Sequence, residues 1–267
     1  MILIKKLEVL VLGATVSSVL MAAPALAGTV FADSTFDTSD YIVTSYAGPT
    51  VTTAYGQTPS GNPGTALEGT YSAQGGNASG VLFTAIHTNF VYDPGVSGAI
   101  GSLSASLDRF FAPTVNGVPI AVGSYSLRIL AQQDGKIYQS IFTFGPFNQL
   151  GGSWYTLATT NIKASDFKLF DPANFGAAGS ATGLDFSGDA ITFGFGMRSA
   201  GAVDANGDPI DLPSSGFLGA DNFELSIAAV PGPIVGAGLP GLIISFIGFG
   251  LIGIAMRSRR SMSPLAA

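Results

Sequence analysis

Residues 124–142 read SYSLRILAQQDGKIYQSIF, two alternating runs on either side of a tight turn. In the first run Leu127 and Ile129 alternate with polar residues, which is the period of a strand with one face in a core and the other in water. Asp134-Gly135 joins the two runs, and this dipeptide is typical of a two-residue hairpin turn. The stretch therefore predicts an antiparallel hairpin.

Alternation with a period of two recurs along the middle of the chain and predicts the fold class. It is found in residues 102–108, 191–198 and 223–227, and Asn116-Gly117 marks a further turn. Roughly ten short strands without intervening helices predict an all-β fold, an antiparallel β-sandwich of the jelly-roll-like type. A closed barrel is the alternative.

Composition predicts the segments that connect these strands. The stretch GQTPSGNPG, residues 56–64, is rich in turn residues and predicts a flexible surface loop. Residues 161–170, NIKASDFKLF, predict either one short helix or an irregular crossing. Further candidate strands are Thr29–Phe36, Tyr41–Tyr46, Ala66–Ala73, Val81–Asn89 and Trp154–Thr160.

The N-terminus predicts export. Lys5 and Lys6 precede an uncharged run from Val9 to Ala23, and Ala25-Leu26-Ala27 follows it. A basic start, a short apolar run and a small-x-small site are the three parts of a signal peptide. We therefore expect signal peptidase to remove residues 1–27.

The part of the chain between the two apolar ends, residues 28–233, is acidic. It holds 16 Asp and Glu against 6 Lys and Arg, a net charge of −10. Such a surface repels phosphate backbones, so we expect no nucleic-acid partner. The chain has no cysteine, which excludes disulfides, zinc–thiolate sites and thiol chemistry.

Residues 230–260, VPGPIVGAGLPGLIISFIGFGLIGIAMRSRR, predict a membrane anchor. Ile234–Met256 contains 23 residues and no charge. A helix of this length spans about 34 Å, enough to cross a hydrocarbon core of about 30 Å. Arg257, Arg259 and Arg260 follow as a stop signal, and the positive-inside rule places them in the cytoplasm. We therefore expect one C-terminal transmembrane helix, with the body of the protein outside.

The segment that enters this helix carries a motif. Pro231, Gly232 and Pro233 disfavour a helix and keep the backbone extended. A Pro-x-Pro motif, a Gly-rich apolar span and a terminal arginine cluster resemble the PEP-CTERM sorting signal of Gram-negative bacteria, here in a Pro-Gly-Pro variant with Gly232 where the usual motif has Glu. The resemblance covers residues 230–260. It implies that a membrane enzyme of the exosortase type recognises the motif and removes the tail.

These segments together predict the organisation and location of the chain. Residues 28–229 are the extracytoplasmic β-sandwich, residues 230–260 carry the motif, helix and arginines, and residues 261–267 are a cytoplasmic tail. The body is expected in the periplasm, anchored to the inner membrane, and after processing at the cell surface or outside the cell. The resemblance implies a structural or adhesive matrix protein associated with exopolysaccharide or biofilm.

Residues suited to catalysis are sparse. His87 is the only histidine and has no nucleophile motif to pair with, so we expect a structural or surface histidine. A carboxylate pair of the glycosidase kind stays open, drawn from Glu68, Glu224 and the aspartates. No catalytic residue is predicted, and a carbohydrate-hydrolysing protein with a carboxylate site is an alternative function.

One loop predicts a cation site. The stretch DANGDPID, residues 204–211, places Asp204, Asn206, Asp208 and Asp211 close together, and such oxygen ligands suit Ca²⁺. The alternative is a polar loop that joins two strands, and the glycine favours it, because it is not where a calcium-binding loop of the EF type needs it.

Two further features predict ligands of the body. The stretch GADNFELSI, residues 219–227, resembles the closing strand of jelly-roll domains with the same tail, which implies a structural calcium at Asp221. Trp154, Tyr155 and the phenylalanines predict either core packing or a platform on which sugar rings stack. Secreted carbohydrate binding is therefore the other form of the alternative function.

Overall fold

The computed structural model describes residues 28–74, 80–120, 123–142, 152–202 and 212–230. Within these ranges the chain forms thirteen strands, one short α-helix and three 3-10 turns. All the strand pairs are antiparallel. The prediction of an all-β antiparallel fold is confirmed.

The described elements follow one another along the chain in this order. The strands are β1 Thr29–Asp33, β2 Tyr41–Ala47, β3 Val51–Gly61, β4 Gly64–Ala73, β5 Val81–Tyr92, β6 Ile100–Val115, β7 Val118–Pro119, β8 Gly123–Gln133, β9 Lys136–Phe142, β10 Trp154–Ile162, β11 Lys168–Leu169, β12 Ile191–Ala202 and β13 Ser214–Ala229. The helix α1 is Pro94–Ser97, and the 3-10 turns are Thr38–Asp40, Ala164–Asp166 and Pro172–Asn174.

The strands fall into two sheets. Sheet A has seven strands in the order β10-β6-β13-β4-β3, with β1 beside β13 and β7 beside β6. Sheet B has six strands in the order β11-β9-β8-β12-β5-β2. Because the described strands form two separate sheets, the arrangement is a sandwich and not a closed barrel.

Aromatic residues of both sheets meet in one core. Phe195 of sheet B lies with its ring centroid 5.1 Å from that of Phe223 in sheet A. A Cβ at Gly69 of sheet A would lie 2.6 Å from the ring of Phe83 in sheet B, so the sheets approach closely there. The predicted inward row of β12 is confirmed, since Ile191, Phe193, Phe195 and Met197 are all buried.

The hairpin predicted from residues 124–142 is confirmed. Gln133 pairs with Lys136 across Asp134-Gly135, and both turn residues have positive φ. Asn116-Gly117 likewise turns β6 into β7. The strand predicted over Thr29–Phe36 is shorter, because the carboxylate of Asp33 accepts the N–H groups of two following residues and ends it.

The loop predicted over residues 56–64 is wrong. The chain continues as β3 to Gly61 and turns back directly into β4. Pro59 is tolerated there because β3 is an edge strand of sheet A, where one side of the backbone needs no partner. For residues 161–170 the irregular crossing is confirmed, as one 3-10 turn and the short strand β11.

The outer face of sheet B was predicted to meet water, and this is wrong for its centre. Arg128 and Leu130 are both 0% exposed, although they alternate with the core residues Leu127 and Ile129. The segment between β11 and β12 covers Arg128, since the carbonyl of Phe175 accepts a hydrogen bond from it. Alternation reveals which residues share a face, but not what covers that face.

Several predictions fall outside the described residues. They concern the signal peptide, the sorting motif at Pro231–Pro233, the transmembrane helix and the stop signal at Arg257, Arg259 and Arg260. The candidate calcium loop with Asp204, Asn206, Asp208 and Asp211 lies outside them as well. Among the residues that are described, no helix has the length and apolarity needed to cross a membrane.

Candidate functional site

The candidate site lies on the outer face of sheet A, which is turned away from the core. One row across this sheet consists of Trp154 in β10, Phe110 in β6, Gly219 in β13, Glu68 in β4 and Gly56 in β3. Residues directly opposite each other in paired strands point to the same face. At about 4.8 Å between strands, the row is about 19 Å wide.

Trp154 lies across this row. Its ring centroid is 5.4 Å from that of Phe110. A Cβ at Gly219 would lie 2.9 Å from Cη2 of Trp154 and 3.0 Å from Cβ of Phe110. The indole therefore occupies the space that a side chain at position 219 would need, and it reaches from the edge strand over β6 to β13.

A third aromatic ring continues the surface. Phe217 lies two residues before Gly219 on the same face, opposite Ala112 of β6. Its side chain is 46% exposed, while Phe110 and Trp154 are partly buried against each other. We call Phe110, Trp154 and Phe217 the aromatic platform.

Polar and small residues border the platform on the side of β3 and β4. Glu68 lines a shallow depression together with Ala54, Gly56 and Thr70. Burial raises the pKa of the Glu68 carboxyl. The depression thus combines a floor of small residues with oxygen atoms that can form hydrogen bonds with a ligand's hydroxyl groups.

Tyr155 does not belong to the platform. It is opposite Arg109 of β6 and so points to the other face of sheet A from Trp154. The guanidinium carbon of Arg109 lies 5.6 Å from the centre of the Tyr155 ring, a cation–π contact. Of the two adjacent aromatic residues singled out in the sequence, only Trp154 faces outward.

Two carboxylates, Asp108 of β6 and Asp221 of β13, face each other next to the platform. The carboxylate of Asp108 accepts hydrogen bonds from Thr156 Oγ1 at 2.5 Å, Asn222 Nδ2 at 2.7 Å and Asn62 Nδ2 at 3.2 Å. Asp221 accepts the backbone N–H groups of Asn62 and Asn222. The pair is thereby enclosed by the tip of the β3–β4 hairpin.

This enclosure decides what the pair can do. Asp221 is 0% exposed, and its burial, together with the charge of Asp108, raises the pKa of its carboxyl. Asn222, with φ +49°, forms a bulge in β13 and brings its amide over Asp108. The carboxylates therefore fasten the hairpin to the sheet and do not line a cleft for a substrate.

The calcium implied at Asp221 stays a prediction, and the carboxylate of Asp221 is engaged in hydrogen bonds. Each of its two oxygen atoms already accepts a backbone N–H group. Among the described residues, no group of three or more histidine, aspartate or glutamate side chains could hold a metal ion. The cluster is an amide–carboxylate network.

His87 is a structural histidine, as expected. Its ring is buried and stacks on Phe90, with centroids 3.8 Å apart. Nδ1 accepts the backbone N–H of Asn89, and Nε2 lies 3.9 Å from the carboxylate of Asp33. Burial lowers the pKa of His87. The imidazole sits within the aromatic core and not at a surface site.

Sequence reasoning missed most of the site. Phe110 and Phe217 were counted among residues that could equally be core, and Gly219 carried no signal of its own. Glu224, the other glutamate of the body, is exposed and accepts a hydrogen bond from Ser226, two residues along β13. It lies opposite Ser106, on the far side of the bulge from Gly219.

Comparison with known proteins gives distant structural likenesses. One solved structure is described as a study of the promiscuous specificity of carbohydrate-binding modules from the β-sandwich superfamily; it has a TM-score of 0.34 and 8% identity over 72% of this chain and 61% of that chain. Another, an exo-β-agarase, has a TM-score of 0.32 and 12% identity over 73% of this chain and 24% of that chain. The chain thus spans less than two thirds of either. No protein-family model and no curated protein matches it.

Proposed function

We propose that the body of this protein, residues 28–229, binds carbohydrate without cleaving it, through the aromatic platform on sheet A. The observation that carries the proposal is the position of Trp154 over Gly219, which is two residues along β13 from Phe217, a side chain that is 46% exposed. The three rings lie on the face of sheet A that is turned away from the core, and apolar side chains gathered on an outward face are typical of a binding surface.

The chemistry of the platform fits a neutral polysaccharide. The C–H faces of sugar rings are apolar and flat, so they gain free energy by stacking on aromatic rings. Hydroxyl groups at the edge of the sugar can donate to Glu68 and Thr70, which border the platform in the next strand. An open row of about 19 Å across five strands suits an extended chain.

Hydrolysis is not part of the proposal. Glycoside cleavage needs two carboxyl groups on either side of the scissile bond. Of the described carboxylates, the facing pair Asp108 and Asp221 is enclosed by the amides of Asn62 and Asn222. A binding role needs only the platform and its polar border.

Export, anchoring and processing remain proposals that rest on the sequence. The signal peptide over residues 1–27 and the sorting signal over residues 230–260 would bring the body outside the cell. A protein that binds polysaccharide there would act as a matrix or surface adhesion protein. Matrix adhesion and carbohydrate binding would then be the same role.

The test is binding of the purified protein to a panel of soluble neutral polysaccharides by affinity electrophoresis, followed by calorimetry on the best ligand. Trp154→Ala should weaken binding by roughly 30-fold or more, since truncating a central tryptophan costs about 2 kcal/mol. Gly219→Ala should also weaken binding, because the new Cβ displaces the indole.

Ile42→Ala is the matched control. Ile42 is 59% exposed but lies in β2 of sheet B, away from the platform, so its removal should leave the affinity unchanged. Equal losses in Trp154→Ala and Ile42→Ala, or no binding to any neutral polysaccharide, would refute the platform as the binding site.

A further inference from the structure

Two arginines lie side by side on the outer face of sheet B. Arg128 in β8 is opposite Gly196 of β12, and Arg198 of β12 is opposite Ser126 of β8. Both side chains therefore leave the sheet on the same face as diagonal neighbours, which long side chains can bridge. Gly196 adds no side chain between them.

Within the described part of the chain, neither arginine has an acidic partner. Arg128 donates to the amide oxygen of Gln139 and to the carbonyl of Phe175, the latter at 2.7 Å, and both acceptors are neutral. The Nε–H groups of Arg128 and Arg198 are buried without a hydrogen-bond partner.

A short segment of main chain roofs the pair. Gln139 Nε2 donates to the carbonyls of Ala177 and Ala178 at 3.0 and 3.1 Å, which holds this segment over the sheet. Nη2 of Arg198 lies 3.2 Å from the place a Cβ would take at Gly176. Arg198 is only partly buried, so the site stays open to solvent on its side.

The energetics favour an additional negative group. A buried charge is costly unless it is paired, and two like charges in a site of low dielectric repel each other. Burial and the neighbouring Arg198 lower the pKa of Arg128 to about 10, so its guanidinium group remains charged at neutral pH. Their unused N–H groups present the fork that matches a carboxylate or a sulfate.

We infer that Arg128 and Arg198 form a binding site for an oxyanion, a carboxylate or sulfate group, beneath the segment around Gly176. This site lies on sheet B and does not depend on the platform of sheet A. It is also unexpected for the surface as a whole, since the body between the apolar ends carries a net charge of −10. The attraction for an anion must therefore come from Arg128 and Arg198 themselves and not from the overall charge.

The test is thermal unfolding of the full-length protein in a mild detergent. The probes are sodium sulfate, sodium glucuronate and a polyglucuronate, each against sodium chloride at the same ionic strength. At about tenfold excess over Kd, a ligand that binds only the folded state should raise Tm by roughly 3–6 °C. A shift with sulfate and glucuronate identifies a small oxyanion, and a shift with glucuronate and polyglucuronate alone identifies the acid group of a sugar.

Arg198→Gln should abolish the shift with every probe while keeping Tm in chloride the same or slightly higher, because an unpaired like charge has been removed. Lys136→Gln removes the same charge from an exposed position at the start of β9 and should keep the whole shift. Arg198→Lys, which retains the charge but loses the fork, should keep a smaller part of it and serves if Arg198→Gln does not fold. No shift beyond that in chloride, or an equal shift in Arg198→Gln, overturns the inference.

Discussion

Replacing Tyr41 by Phe tests how much the hydrogen bond from Tyr41 to the buried carboxylate of Asp33 contributes to stability. The hydroxyl of Tyr41 donates to Oδ2 of Asp33 at 2.7 Å, and Oδ1 of Asp33 accepts the N–H groups of Thr35 and Phe36 at 2.7 and 3.1 Å. Tyr41 is 7% exposed and packs edge-on against the ring of His87. Phenylalanine keeps these ring contacts and removes one hydrogen bond.

The expected cost follows from the charge of the acceptor. A hydrogen bond to a charged group contributes about 2 kcal/mol, which in a protein of this size corresponds to about 4–8 °C in Tm. Burial opposes ionisation of Asp33, but the hydrogen bonds from Tyr41, Thr35 and Phe36 outweigh it and hold the pKa of Asp33 below 3.8.

The same shift gives the effect a pH dependence. Because its pKa is lower in the folded state, Asp33 contributes stability that is fully present above its unfolded value of 3.8 and is lost as pH falls through the folded pKa. Tyr41→Phe raises the folded pKa towards 3.8. The loss in the free energy of unfolding should therefore be larger at about pH 6 than at about pH 3.

Urea unfolding of the wild type and the variant at both pH values measures this difference. Tyr92→Phe is the matched control, because the hydroxyl of Tyr92 donates to the neutral carbonyls of Ser97 and Gly98. Its cost should be about 1 kcal/mol and independent of pH over this range. If Tyr41→Phe costs no more than Tyr92→Phe, or costs the same at both pH values, the role assigned to the Asp33 carboxylate is wrong.

Three further predictions concern the core, its histidine and the tail. Gly194→Ala should destabilise by about 1–3 kcal/mol or more in urea unfolding, since the new Cβ would lie 2.1 Å from the carbonyl oxygen of Ala85; a neutral effect would contradict the close strand approach. Burial lowers the pKa of His87, so stability present above its unfolded value of 6.5 is lost as pH falls through the folded pKa. His87→Gln should flatten the pH profile there, and an unchanged profile would exclude this role. Replacing Pro231 and Pro233 by Ala should leave the tail uncleaved in a host with a functional exosortase, and intact mass of the mature protein decides it: a wild-type protein that keeps the tail refutes processing.

Local sequence by itself determined the strands and the hairpin. Leu127 and Ile129 alternate with polar residues because a strand turns successive side chains to opposite faces, and Asp134-Gly135 reverses the chain because both residues accept positive φ. These are properties of neighbouring residues. The sequence also contained the candidates for aromatic stacking, but Trp154 and Tyr155 could not be told apart by composition.

Tertiary structure alone decided which of these faces is covered and which carries the aromatic platform. Arg128 reads as a solvated strand residue until the main chain around Gly176 covers it. Trp154 becomes part of a platform only because the register sets Phe110 beside it and Gly219 beyond. Strand register and covering segments bring together residues that are distant in sequence. These arrangements are stabilised by tertiary packing, which no local sequence pattern encodes.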